Sequence, residues 1–184
     1  MNELTVGLNA WIIQDGNYDE FRRGESYKLA LEFNGSALIP SVERAMQCKH
    51  KDTSLFNVVA KVIFSTPEVW VIDFGVKVFC ESRPPRFAKF GQWVQGEIWL
   101  GIDPFFYKER LHRLPGMPDL SVDWFVIRIQ LETTPWIEDK SGVRTLLKRD
   151  SARAEWIDQV ATDAWTDDGG RGDYLLSLSL SLSR

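Results

Sequence analysis

Strict alternation of apolar and polar residues recurs through most of this chain, and it narrows the fold more than any other feature. A period of two places successive side chains on opposite faces of a strand. Leu4, Val6, Leu8, Ala10 and Ile12 share one phase, closed by the turn signal Asp15-Gly16-Asn17, and Tyr27, Leu29, Leu31 and Phe33 share another, closed by Asn34-Gly35. These two runs are expected to pair antiparallel. Residues 55–81 read as a long hairpin about a turn at Ser65-Thr66-Pro67-Glu68, with a bend or bulge near Gly75 in the second arm. A further strand carries Val94, Gly96, Ile98, Leu100 and Ile102 on one face. Another carries Phe125, Ile127, Ile129 and Leu131 inward. Residues 176–183 alternate leucine with serine, a strand by period that, left on a sheet edge, would invite pairing with a second copy of the chain.

Three stretches break the pattern. Residues 37–51 fit either a short helix from Ser41 or irregular structure. Residues 104–118 read as a long loop or a short helix with a break at Leu114-Pro115-Gly116. From Asp150 or Ser151 to about Trp165, an apolar side of Trp156, Ile157, Val160 and Ala164 predicts a C-terminal helix, stopped by Asp167-Asp168-Gly169-Gly170. The expected fold is therefore an all-β dominated single domain over residues 1–184: an antiparallel, partly closed barrel or two-layer sheet of about seven strands, with one C-terminal helix across it. At 184 residues with 44% hydrophobic content, the chain can fill a core without a metal or disulfide staple.

The charge balance, 22 basic against 26 acidic side chains and a pI near 5.3, disfavours nucleic acid, whose binders neutralise phosphates with a basic patch. No secretory leader or apolar membrane span is visible, so the expected setting is the cytoplasm. Catalytic signals are thin. His50 and His112 are the only histidines, and Cys48 and Cys80 the only cysteines. Cys48 with His50 supplies one close pair where structural zinc needs two, and Cys80 with His112 could form a thiol and base pair only through the fold. Asp73 and Glu97 are the best carboxylate pair a small hydrolase could use. Neither cofactor nor metal is expected.

One feature exceeds this background. Trp11, Trp93, Trp99 and Trp124 occupy the polar phase of their strands, interrupted by Gln95, Glu97 and Arg128. Such an indole-rich face must be covered from within, by the C-terminal helix, or used, since exposed apolar patches and tryptophan with arginine mark interaction sites. The leading expectation is a non-catalytic, bacterial-type protein-binding module of inhibitor or immunity type, with Trp11, Trp93, Trp99, Trp124 and Arg128 as its binding residues and a homodimer through the C-terminal strand. The segment Gly91 to Leu100 is similar to strands of oligonucleotide-binding barrels, which implies an alternative: tryptophans as stacking platforms with Arg83, Arg86 and Lys89 along a phosphate backbone.

Overall fold

The computed structural model describes residues 3–35, 38–139 and 146–180. Strand β1 (Leu4–Asn9) runs into helix α1 (Ala10–Gln14). Then come β2 (Ser26–Leu29), β3 (Leu31–Asn34), β4 (Ile39–Pro40), β5 (Gln47–Asp52), β6 (Leu55–Ser65), β7 (Trp70–Asp73), β8 (Lys77–Cys80) and β9 (Trp93–Ile102). Helix α2 (Phe106–Glu109) precedes β10 (Val122–Glu132), β11 (Trp136–Asp139), β12 (Leu146–Arg149), β13 (Trp156–Gln159) and β14 (Asp173–Leu180).

Five strands close on themselves: β9 pairs β3 and β6, β6 pairs β7, β7 pairs β8, and β8 returns to β3. The closing contact, Glu32 opposite Phe79, is parallel, as is the contact of Gly7 with Gly101 that joins β1 to the barrel. The fold is thus mostly β, as the alternation implies, but not wholly antiparallel, because strands that follow one another in the chain are not neighbours at these two seams. β1 continues outward through β14 to β10, whose far edge takes β2 at one end and β13 at the other.

Ala30 divides the second alternating run. Leu29 pairs Val122 of the outer sheet while Leu31 pairs Ile102 of the barrel, so one apparent strand serves two sheets and does not pair β1 at all. The second arm of the 55–81 hairpin also divides. Gly75, at φ 103°, turns the chain so that Asp73 faces Lys77, replacing the expected bend with a full reversal. These two splits, together with β4, β5, β11, β12 and β13, carry the described residues beyond the expected seven strands.

The leucine and serine run is a strand, and an interior one. Leu176 lies between Val6 and Ile129, and Leu178 between Leu4 and Val126, all fully or almost fully buried. Each leucine so buried contributes about 1.5–3 kcal/mol. With β1 on one side and β10 on the other, residues 174–178 are an interior stretch and not the open edge on which the dimer expectation was drawn; residues 181–184 lie outside the described residues.

The expected C-terminal helix is absent. Ser151–Arg153 form one 3-10 turn, capped by the Asp150 side chain accepting from the Ala152 N–H, and Trp156–Gln159 then pair the free edge of β10. A helix of that length is marginal alone, and an open sheet edge offers its backbone better partners. Residues 39–52 likewise form β4 and β5 rather than a helix; residue 37 lies outside the described residues.

The 104–120 segment packs against the barrel's outer wall. Tyr107, Leu111 and Leu120 cover Val69, Val71 and Phe79 in a second small core. Cover from within thus exists, but a different segment supplies it and it lies over β7 and β8. Among the described residues no helix is long and apolar enough to cross a membrane.

Candidate functional site

The tryptophans do not form one face. Trp124 is buried, 2% exposed, because a bulge between Val126 and Arg128 shifts the phase of β10. Upstream of it Trp124 and Val126 point inward and Phe125 and Ile127 outward; downstream Ile129 and Leu131 point inward as expected. Trp93 sits at the far end of β9 opposite Lys61, and Trp11 lies on α1, half exposed. Trp99 and Arg128 remain, and these two border one continuous groove.

The groove has three joined compartments. The first, about 170 Å³, is lined by Gly7, Asn9, Glu32, Asn34, Trp99 and Gly101 among others. The second, about 240 Å³, shares Gly7, Asn9 and Trp99 and adds Thr53, Glu132, Trp156 and Asp173. The third, about 360 Å³, shares Thr53 and Trp156 and is closed by Glu3, His50, Asp52 and Arg128. The groove runs between the β5–β6 hairpin tip and the outer sheet, with Trp99 49% exposed near one end.

Register explains the first compartment. Glu32 faces Gly101 and Asn34 faces Trp99, so these four share one face of the β3–β9 pair. Gly101 in turn faces Gly7. Two adjacent glycines leave the floor without side chains, and the space beside the Trp99 indole stays open.

The lining is acidic. Glu3, Glu32, Asp52, Glu132 and Asp173 stand against Arg128 and His50. Some of this charge is answered: Arg149 approaches Glu132 at 4.0 Å and Asp173 at 3.7 Å, Asn9 donates to Asp173, and Arg128 is held by Asp158 at 2.8 Å. Glu32 is not. Burial, then the charges of Asp103 and Glu81, push its carboxyl up to about 7. Asp103 is itself fully buried, but both its oxygens accept the Tyr107 N–H, at 3.2 and 3.1 Å, and this fixes it as the anchor of α2. Burial raises its carboxyl while the backbone N–H groups of residues 106–108 and the Lys108 charge pull it back.

Other candidate constellations come apart. Asp73 and Glu97 face the same side, opposite Lys61 and Asn57 of β6, but they lie on the two strands flanking β6 and are offset by four residues, about 13 Å along the strand alone. That exceeds the spacing of either glycosidase geometry, about 5–9.5 Å. Asp73 accepts the Gly75 N–H at 2.9 Å, and Glu97 is paired with Lys51. The Cys80 thiol, raised by burial, lies 3.1 Å from the Ser82 hydroxyl, whereas His112 Nδ1 meets the Tyr107 carbonyl at 3.1 Å. Burial pushes the Cys48 thiol up to about 11, and His50 Nε2 meets the Thr53 carbonyl at 2.8 Å. Neither thiol has the acidic character of a nucleophile. Among the described residues no three His, Cys, Asp or Glu side chains group to hold a metal.

Sequence reasoning missed Trp156 and Glu32. The apolar spacing puts Trp156 on a helix, and Glu32 carries no signal beyond its alternation. The paired glycines are the clue that could have pointed to the floor, but only once β1, β9 and β3 are known to be neighbours. Comparison with family models, with curated proteins and with solved structures finds no match for this chain.

Proposed function

We propose that the chain is a non-catalytic binding module, of inhibitor or immunity type, that grips a basic segment of another protein in the groove between Trp99 and Trp156. The carrying observation is the groove's composition: two accessible indoles on a lining of five carboxylates against one arginine and one histidine. Indoles give a large contact area at low entropic cost, and surplus negative charge selects a cationic partner and speeds its approach. Affinity capture tests it with the intact protein, the Trp99→Ala/Trp156→Ala double variant, and Trp165→Ala as an exposed tryptophan outside these compartments. A cationic partner retained by the intact protein and by Trp165→Ala, lost from the double variant and released by salt, is the expected result. Equal retention by all three contradicts the reading.

The barrel supports a second reading. With β3 moved to the end of the chain order, its pairing sequence is that of the five-stranded Greek-key barrel used by oligonucleotide-binding domains. Two observations weigh against it. The outer face of β7 and β8, which corresponds to the usual nucleic-acid platform, is occupied by residues 106–120. The open groove is acidic and would repel phosphates. Arg83, Arg86 and Lys89 are exposed on the 81–92 connection and remain the place for a phosphate backbone. Salt-dependent binding of oligothymidylate, lost on reversing those three charges, would favour this reading.

A further inference from the structure

Resting on the groove reading, we propose that the compartment beneath Trp99 is an anchor pocket for one arginine side chain of the partner, its guanidinium paired with Glu32 and stacked on the Trp99 indole. Three observations converge. Glu32 is partly buried, and among the described residues no hydrogen bond or ion pair meets its carboxylate. On the β9 side the position opposite is Gly101, so no side chain fills the space there, while Phe79 of β8 flanks the other side. Trp99 stands diagonally across, with β-carbons about 7 Å apart by strand geometry, a gap that a planar cation can bridge. The compartment of about 170 Å³ holds one such head group, and the Asn9 and Asn34 side chains line it as further polar contacts.

The charges around Glu32 disfavour its ionised form. Asp103 and Glu81 both raise its carboxyl, and Tyr18 and Cys80 are the other titratable groups coupled to it. Nearby cations are committed elsewhere: Arg110 pairs Glu81, and Lys108 lies over the Tyr18 and Phe105 rings at 5.3 and 5.6 Å. A guanidinium entering the pocket therefore meets a carboxylate surrounded by its own kind. Arginine suits it better than lysine, because its planar head both forks onto a carboxylate and stacks on a ring.

The molecule already builds this unit once. The Arg149 guanidinium lies 4.1 Å from the Trp136 ring centre and pairs Asp168 at 2.8 Å, fastening the β11–β12 pair to the turn that precedes β14. The pocket at Trp99 has the indole and the carboxylate of the same arrangement and lacks the arginine.

The probe is N-acetyl-arginine N-methylamide, with the neutral citrulline analogue as its control, titrated into the full chain while the Trp99 indole N–H resonance is followed. Saturable shifts from the arginine probe, at least about tenfold weaker from citrulline and in Glu32→Gln, are expected. Gly101→Ala, which keeps the carboxylate but places a methyl 3.5 Å from Glu32 Oε1, should weaken the probe as well. Equal shifts from both probes, or an unchanged response in Glu32→Gln, overturn the anchor. An arginine nonapeptide separates the two levels. If it binds Glu32→Gln normally but fails on Trp99→Ala/Trp156→Ala, the groove stands and the anchor falls. If it binds neither the intact chain nor any variant, both fall.

Discussion

Two walls of the same barrel carry aromatic side chains outward, and the chain treats them differently. Over β7 and β8, Val71 and Phe79 are sealed by Tyr107, Leu111 and Leu120, and the cover is locked by Asp103 gripping the start of α2. Over β3 and β9, Trp99 remains half exposed and Glu32 unanswered, beside two glycines. An outward aromatic alone therefore says little about binding. A site is marked where the chain leaves an indole, a charge and a floor without side chains together and supplies no cover of its own.

Four substitutions would break or sharpen this contrast. The largest effect belongs to the sealed wall: Phe79→Ala should cost about 3–5 kcal/mol of unfolding free energy in urea, since it empties a closed core contact. Asp103→Ala should cost about 1–3 kcal/mol in the same assay, because it strands backbone N–H groups at α2. Glu32→Gln should do the opposite. Between its ordinary value and about 7 the folded chain holds a proton there that the unfolded chain has released, so stability falls as pH rises across that window. The variant loses this slope and should be more stable than the parent by about 1–2 kcal/mol at pH 8, with little difference at pH 4; an unchanged pH slope would remove the unpaired charge from the picture. The smallest effect is expected at Trp99→Ala, within about 1 kcal/mol of the parent in stability. A loss as large as that of Phe79→Ala would show that Trp99 is structural and erase the distinction between the walls.

The readable part of this fold was its class. Period two announced β1, the β6–β7 hairpin, β9 and β14 because their apolar residues alternate in sequence; β1 and β9 also alternate in burial, whereas β14 is buried on both faces over Tyr174–Leu178. What escaped depends on neighbours. Ala30 looks like any strand residue, and only the two sheets it connects make it a junction. The bulge at Val126/Arg128 leaves no mark in a run where both phases are apolar, and so the alternation alone points Trp124 outward. Trp156 and its surroundings suit a helix until the open edge of β10 is seen. The site divides the same way. Trp99 and Arg128 were recognisable as outward residues, whereas Glu32, Trp156, Gly7 and Gly101 acquire meaning only when β3, β9, β1 and β13 are brought together across some 150 residues of chain.

Calorimetric titration of the intact protein with an arginine nonapeptide and, separately, with oligothymidylate at low salt tests the acidic groove most directly. Saturable binding of the peptide, absent in Trp99→Ala/Trp156→Ala and weakening as salt rises, with no heat from the oligonucleotide, is the expected result. Binding of the oligonucleotide instead, or peptide binding indifferent to the loss of both indoles, would contradict it.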